Sequence, residues 1–242
     1  MKSEPEVEAY KAEAAKRVYA CSKCEGNLGS DCECVHRFLF NVDAFEACIP
    51  RDFWSIQPSD VEFNTEAFKR YVLPYTEKLT KAHRNGYGLL FSGANGVGKT
   101  MFMSFILARA IRRGKSAYYT TMLQLDHDIK RGFNDPSVQE RLDWMLTSDF
   151  LGLDEMGKEQ FKAINQSSNF MKAQIERILK QRFDESKPVL MATNLSTTAL
   201  GKAYGDTVLS IINGKYQQVI MEPGDIRKRL AERMAADMGF DE

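Results

Sequence analysis

The sequence lacks an excess of charge of either sign, because 33 basic side chains balance 33 acidic ones. This balance excludes a protein that binds nucleic acid through a positive field over its whole surface. Any contact with nucleic acid must therefore come from a local basic patch.

Long apolar segments are missing as well. No run approaches the roughly 20 apolar residues that span a bilayer, and the acidic start Met1–Glu6 does not have the pattern of a secretory signal. We therefore expect a cytoplasmic protein with no membrane partner. Repeats and low-complexity stretches are absent too, and a hydrophobic fraction of 43% is typical of a globular protein. The length of 242 residues predicts one domain, or one domain with a small appendage.

Cysteine is scarce, yet four of the five cysteines fall between residues 21 and 34. They are Cys21, Cys24, Cys32 and Cys34. Disulfide frameworks are typical of small secreted domains, so without a secretory signal we expect a metal site instead. Two thiolate pairs separated by a loop predict a tetrahedral Zn²⁺ site that supplies folding energy to this small segment. The C-x-C pair is tighter than the usual C-x-x-C, so His36 is an alternative ligand, and free thiols are the other alternative. Cys48, next to Ile49, is expected to be a buried thiol.

A glycine-rich segment carries the strongest motif. Gly93-Ala-Asn-Gly-Val-Gly-Lys-Thr100 fits G-x-x-x-x-G-K-[ST] and lies between a predicted strand and a predicted helix. Backbone N–H groups of such a loop surround phosphate oxygens, Lys99 reaches the β- and γ-phosphates, and the Thr100 hydroxyl holds Mg²⁺. The residues expected to bind ATP are Gly93, Ala94, Asn95, Gly96, Val97, Gly98, Lys99, Thr100 and Met101. The alternative is an accidental glycine-rich turn.

Two further strands end in polar residues. Asp154 and Glu155 follow an apolar run, which suits Mg²⁺ coordination by Asp154 and general-base activation of water by Glu155. The run that starts at Pro188 ends at Asn194, whose amide can contact the γ-phosphate or the attacking water. The alternatives are a solvated acidic turn at Asp154 and an ordinary turn residue at Asn194.

Strand and helix patterns alternate after residue 86, which predicts an α/β fold with a parallel sheet flanked by helices. The predicted strands are Tyr87–Ser92, Ser116–Thr121, Asp149–Asp154 and Pro188–Thr193. The predicted helices are Lys99–Arg113, Met122–Gly132, Pro136–Thr147 and Ser168–Phe183, preceded by a short helix within residues 1–20 and another around Thr65–His83. The predicted domains are 1–55, a helix and zinc module; 56–86, a linker and helix; and 87–242, the ATPase domain.

Together these segments resemble the AAA+ ATPases of the bacterial helicase-loader group (DnaC/DnaI type), whose core is shared by transposase helper ATPases (IstB type). The resemblance extends over about Tyr87–Arg227 and rests on Phe91–Thr100, Leu153–Gly157, Lys187–Leu195 and Tyr204–Asp206. It implies a P-loop switch that uses Mg²⁺ and ATP, forms a homo-oligomer with ATP, and acts on single-stranded DNA or a DNA-bound partner. In the loaders that partner is a replicative hexameric helicase, held by the N-terminal domain, and a zinc-bearing N-terminal domain is a loader-like feature.

One position departs from that family. Ile211 stands where similar proteins carry an arginine that reaches a neighbouring subunit's ATP. Because such an arginine is worth orders of magnitude in rate, ATP turnover is expected to be weak unless another arginine replaces it. Arg182 and Arg227 are the candidates, and the resemblance matches Arg227 to a downstream arginine of the family. Arg229 and Arg233 are further options, although a solvated helix face is the competing interpretation for both.

For DNA, the loader resemblance points to Lys130, Arg131 and Phe133, where two cations and an aromatic ring could hold a single strand. A helix end beside a buried ring is the alternative. The resulting hypothesis is an ATP-dependent loader of a replicative helicase onto single-stranded DNA. The alternatives are an IstB-like transposase helper that binds duplex DNA and a weakly hydrolysing, nucleotide-dependent DNA clamp.

Overall fold

The computed structural model describes residue 2, residues 4–62, 64–131, 135–158 and 167–224, and residues 231, 235, 236, 238 and 239. Four of the residues considered above, Phe133, Arg227, Arg229 and Arg233, lie outside these described residues.

A five-stranded parallel sheet forms the centre of the protein, with the strand order β2-β3-β4-β1-β5. The strands are β1 Gly88–Ser92, β2 Ala117–Thr121, β3 Phe150–Met156, β4 Val189–Thr193 and β5 Tyr216–Ile220. The predicted α/β fold with a parallel sheet is confirmed. β5 was not expected, because its sequence Tyr-Gln-Gln-Val-Ile has little of the apolar character of a buried strand.

Both faces of the sheet are covered, which explains why the three inner strands, β3, β4 and β1, are almost entirely buried. Leu89 and Phe91 of β1 belong to one buried cluster, which includes most of α6, whereas Leu90 between them belongs to the other. Alternate residues of a strand point to opposite faces, so each inner strand contributes to two cores. The helices after β1 are α6 Lys99–Ile111, α7 Met122–Arg131, α8 Pro136–Thr147, α9 Ser167–Asp184, α10 Thr197–Tyr204 and α11 Asp206–Lys215.

The helix predicted around Thr65–His83 is interrupted. It consists of α3 Thr65–Ala67, a π-helical turn Phe68–Val72, α4 Leu73–Glu77 and α5 Leu79–Asn85. Pro74 has no N–H group and cannot bond to the carbonyl four residues earlier, which accounts for the change in hydrogen-bond register at this point.

The N-terminal part contains α1 Glu4–Tyr19, α2 Glu33–Glu46, and two 3₁₀ turns, Arg51–Phe53 and Pro58–Asp60. α2 packs on α6: Phe40 and Ala44 lie in the same cluster as the α6 core residues, and the Arg112 guanidinium lies 3.8 Å from the centre of the Phe40 ring. The Tyr119 N–H of β2 donates to the Ala47 carbonyl at the end of α2 (2.8 Å). The division of the chain at residue 55 stays a prediction.

Within the described parts of the chain, every helix is too short or too polar to traverse a lipid bilayer.

Candidate nucleotide site and cysteine cluster

The glycine-rich loop lies between β1 and α6, at the carboxyl ends of the strands. Gly98 has φ of 99°, a left-handed conformation that favours glycine, and it caps the N-terminus of α6. The 13-residue helix thus directs free backbone N–H groups and its positive dipole end into the loop. This arrangement is one that binds anionic phosphate groups.

Lys99 and Thr100 are the first residues of α6. The Lys99 ammonium donates to the carbonyls of Gly93 (2.8 Å) and Ala94 (2.5 Å), so it lies over the loop. The Thr100 hydroxyl instead points to the sheet and donates to Asp154 Oδ2 (2.6 Å). Lys99 therefore places a cation over the loop, and Thr100 places a hydroxyl beside Asp154.

Asp154, near the end of β3, is only 3% exposed. Its Oδ2 also accepts a hydrogen bond from the Tyr119 hydroxyl (2.8 Å), and its Oδ1 accepts from the Glu155 N–H (2.7 Å). Burial, and then the charge of Asp154, raises the pKa of Tyr119, which keeps the phenol protonated as a donor.

Glu155 stands at an irregularity of the sheet. The register between β3 and β4 shifts between Leu153 and Met156, and Glu155 has φ of 61°. An extra residue of this kind redirects a side chain at a strand end. The Glu155 carboxylate pairs with the Lys158 ammonium at 2.5 Å, and both groups are partly accessible to solvent.

Asn194 lies just after β4 and contacts the glycine-rich loop directly. Its side-chain Nδ2 donates to Asn95 Oδ1 (2.8 Å). Thr193 turns inward, since its hydroxyl donates to the Met156 carbonyl (2.9 Å). The ends of β1, β3 and β4 thus bring together most of the residues predicted for the nucleotide site.

Tyr204, which belongs to the segment that carries the family resemblance, stabilises the chain just after β3. Its hydroxyl accepts a hydrogen bond from the Gly157 N–H (2.7 Å). The chain that follows Glu155 is therefore attached to the end of α10.

Two residues at the site were missed by the sequence analysis. Asn64 donates from Nδ2 to the Val97 carbonyl of the loop (3.2 Å) and accepts from the Glu222 N–H (2.7 Å). Its sequence signal is its position directly before a predicted helix, where asparagine is a favoured helix-start residue. Tyr119 lies in a β-rich strand, where an aromatic residue ordinarily indicates core packing, so the sequence offered no signal for it.

The residues present fit Mg²⁺ and ATP. Carboxylate and hydroxyl oxygens, as offered by Asp154 and Thr100, are the ligand type that Mg²⁺ prefers. The loop and Lys99 supply the N–H groups and the positive charge that a triphosphate needs.

The four clustered cysteines of the N-terminal part come together in space, with all four sulfur atoms within 4.8 Å of one another. Neighbouring sulfurs lie 3.3 to 3.9 Å apart. Tetrahedral Zn²⁺ with Zn–S bonds of about 2.3 Å requires sulfur separations of about 3.8 Å, so the cluster is compatible with zinc. Hydrogen bonds from the backbone at Cys24 and Lys23 lower the pKa of Cys21 to about 6, which makes a thiolate available at neutral pH.

The alternative ligand His36 is not part of this cluster, and its Nε2 instead lies 2.9 Å from Asp31 Oδ1. The surrounding core is small, formed by Val18, Cys24 and Val35. Cys48 lies apart from the cluster and is half-buried rather than fully buried, packed at the edge of the second core.

The proposed DNA patch has a different environment from the one expected. Lys130 pairs with Asp126 within one turn of α7 (2.5 Å), and Arg131, at the end of α7, pairs with Asp135, just before α8 (3.7 Å). Phe133 lies outside the described residues. The two cations are exposed, yet each already has a carboxylate partner.

The prediction that Arg182 could replace the arginine that reaches a neighbouring subunit's ATP is wrong. Its side chain is completely buried, and its guanidinium donates to the carbonyls of Met145, Leu146, Asp149 and Pro188. A group in this position cannot reach a neighbouring subunit. Ile211 itself is a core residue, 7% exposed.

Comparison with known proteins identifies one family. The family model described as IstB-like ATP binding protein matches residues 59–212. The chain is 27% identical over 122 residues to the ATP-binding protein of insertion sequence IS5376 from Geobacillus stearothermophilus, over 50% of this chain and 46% of that protein. It is 25% identical over 115 residues to the replicative helicase loader DnaI of Bacillus subtilis (strain 168), over 48% of this chain and 35% of DnaI. The matches thus span less than half the length of either relative.

Solved structures show the same fold at low identity. The crystal structure of the DnaC helicase loader superposes with a TM-score of 0.61 at 20% identity, over 72% of this chain and 100% of that one. DnaI gives 0.59 at 21% identity, over 72% of this chain and 94% of that one. The replication initiator DnaA bound to AMPPCP and single-stranded DNA gives 0.58 at 16% identity, over 79% and 56%. The fold is therefore that of AAA+ ATPases.

Proposed function

The chain belongs to the IstB-like ATP-binding protein family, and from this premise we propose that it is an ATP-dependent loader that places a replicative hexameric helicase on single-stranded DNA. The observation that carries this choice is the cysteine cluster in front of the AAA+ core. Such a module is a loader-like feature, whereas transposase helpers more often have a purely helical N-terminus. The similarity to DnaI and the shared fold with DnaC support the same choice.

Binding of ATP would use the loop and the first turn of α6. Lys99 would leave the carbonyls of Gly93 and Ala94 for the phosphates. Thr100 and Asp154 would hold Mg²⁺, which neutralises phosphate charge when bound. Asn194, at the end of β4, is hydrogen-bonded to Asn95 of the loop, so its position would change when a nucleotide binds in the loop.

Hydrolysis would depend on Glu155, whose carboxylate would orient the attacking water and accept its proton. To act, this carboxylate has to exchange its ion pair with Lys158 for the water. Because a core isoleucine occupies the position of the trans-acting arginine, we propose weak turnover, with Arg227 as the remaining candidate. A homo-oligomer formed with ATP is part of this proposal.

Contact with DNA is assigned to Lys130, Arg131 and Phe133. For the two cations to hold phosphates, DNA would have to replace Asp126 and Asp135 as their partners. Replacement of one surface ion pair by another costs little free energy, typically about 1 kcal/mol or less, so these pairs are no barrier to binding.

The decisive experiment is helicase loading with the full chain. A replicative hexameric helicase should unwind a single-strand-binding-protein-coated fork only when this chain and ATP are both present, and Lys99→Ala should abolish the effect. Lys180→Ala, an exposed change on α9, is the matched control. ATP-dependent binding to duplex DNA with no effect on the helicase would overturn the loader proposal in favour of the transposase helper.

Zinc is tested separately by metal analysis of the purified chain. We expect one Zn²⁺ per chain, lost in the double variant Cys21→Ser/Cys24→Ser and retained in Cys48→Ser, because Cys48 is not in the cluster. A wild-type chain with four reactive thiols and no zinc would contradict the assignment.

A further inference from the structure

Asp154 receives hydrogen bonds from two hydroxyls at the same oxygen, and only one of these belongs to the expected nucleotide motif. Thr100 donates at 2.6 Å from the first turn of α6, and Tyr119 donates at 2.8 Å from β2. The Glu155 N–H occupies the other carboxylate oxygen. The carboxylate is thus held by three donors from three different elements.

We propose that Tyr119 is a positioning residue for Mg²⁺ at the nucleotide site: its phenol fixes the Asp154 carboxylate in the orientation that the metal requires. This inference rests on the proposed binding of Mg²⁺ and ATP. Tyr119 belongs to the sheet rather than to the loop, so it holds Oδ2 whether or not the loop and Thr100 rearrange around a nucleotide. Groups that hold a metal-binding carboxylate in this way raise the affinity for the metal.

The fold keeps Tyr119 itself in place. Its N–H is bonded to the Ala47 carbonyl, and its ring packs against the core cluster that contains α6. A side chain fixed at both its backbone and its ring loses little entropy when it orients a partner.

Gly152, which pairs with Tyr119 across the two strands, explains how the Thr100 hydroxyl of α6 comes close enough to the carboxylate. A Cβ atom at Gly152 would lie 2.8 Å from Met103 Sδ and 2.9 Å from Leu107 Cδ1. The missing side chain therefore allows α6 to lie close to β3, and this brings Thr100 within hydrogen-bond distance of Asp154. Tyr119 occupies the neighbouring strand on the same side.

The experiment measures equilibrium binding of a fluorescent ATP analogue rather than turnover. Its dissociation constant is determined without Mg²⁺ and across a Mg²⁺ titration, which yields the Mg²⁺ concentration at half of the gain in affinity. For Tyr119→Phe we expect this midpoint to rise about tenfold, in line with the usual effect of losing a group that orients a metal ligand. Affinity for the analogue without Mg²⁺ should change less than twofold.

Tyr75→Phe is the matched control, because it removes a comparable phenol hydrogen bond, to the Tyr87 carbonyl (2.6 Å), before the start of β1. Its Mg²⁺ midpoint should equal that of the wild type. A Tyr119→Phe midpoint that is unchanged, lowered, or raised no more than that of Tyr75→Phe would overturn the inference.

Asp154→Asn separates this inference from the proposed function. If the wild type gains affinity with Mg²⁺ and Asp154→Asn loses that gain, the proposed site stands and the result for Tyr119→Phe decides the inference alone. If the wild type binds no ATP analogue under any condition, the proposed function fails first.

Discussion

The two ends of the sheet both concentrate polar side chains, and they use them differently. At the carboxyl end, Asp154 is held by the side chains of Thr100 and Tyr119, and Asn194 by Asn95. Hydroxyls and amides can exchange these partners for a ligand without breaking the backbone hydrogen bonds of the fold.

At the amino end, the buried Arg182 donates to four backbone carbonyls. Burial lowers its pKa to about 10, still well above neutral, so the guanidinium remains charged. These carbonyls come from the end of α8 and from the residues before β3 and β4, so Arg182 joins three chain segments. The nature of the partners, side chain or backbone, thus distinguishes the proposed site for chemistry at the carboxyl end from a site for stability at the amino end.

The largest expected difference between the two ends concerns catalysis, which we assign to the carboxyl end alone. Glu155→Gln should lower ATP turnover by roughly 10²- to 10⁴-fold while the affinity for ATP is kept, because the amide cannot accept a proton from water. Phosphate release and analogue binding measure the two quantities. Glu185→Gln, at the amino end beside Lys187, is the control and should leave turnover unchanged. Turnover that survives in Glu155→Gln would remove the assignment of the general base.

A smaller but still large effect is expected on stability at the amino end. Arg182→Met should lower the free energy of unfolding by about 3 kcal/mol, because buried carbonyls lose their donors. Urea unfolding measures this loss, and Lys180→Met, an exposed change on the same helix, should cost less than about 0.5 kcal/mol.

The folded Arg182→Met protein should bind the ATP analogue as the wild type does. If its affinity fell more than tenfold under conditions where the protein is folded, the separation between the two ends would be broken.

The smallest effect concerns pH at the amino end. Burial tends to raise the pKa of Asp149, but the Ser116 N–H bond and the nearby His83 and Lys115 outweigh it, and the pKa is lowered. A lowered carboxyl pKa stabilises the fold above the unfolded pKa of about 3.9, and this stability is lost as the pH falls through the folded pKa. Asp149→Asn should therefore cost at most about 1 kcal/mol at neutral pH, since solvent screens the group, and progressively less as the pH falls below about 3.9.

Urea unfolding between pH 3 and 7 checks this prediction. Asp184→Asn, an exposed aspartate paired with Lys180, serves as the comparison variant. A stability difference between wild type and Asp149→Asn that did not shrink toward acid would count against the role of Asp149.

Local sequence patterns were sufficient to predict much of this fold. The apolar runs of β1, β3 and β4 and the loop before Lys99 were predicted correctly, because buried parallel strands and phosphate loops have strong local patterns. β5 was missed because Gln217 and Gln218 break such a pattern. Its place at the sheet depends on pairing with β1, which no local sequence encodes.

The remaining differences come from tertiary contacts. Nothing around Arg182 in the sequence distinguishes an arginine that faces a neighbouring subunit from one that is enclosed by carbonyls of three segments. Tyr119 likewise acquires its contact with Asp154 only through the pairing of β2 with β3. Such roles are set by which segments meet in space.

The bond between the Tyr119 N–H and the Ala47 carbonyl has a practical consequence for deletion experiments. β2 is the outermost strand of its side of the sheet, and residue 47 covers one of its outward-facing N–H groups. A shortened protein that begins after residue 50 would expose this strand border, and unpaired borders invite association between molecules. Self-association of such a fragment would then reflect an uncovered strand rather than the ATP-dependent oligomer proposed above.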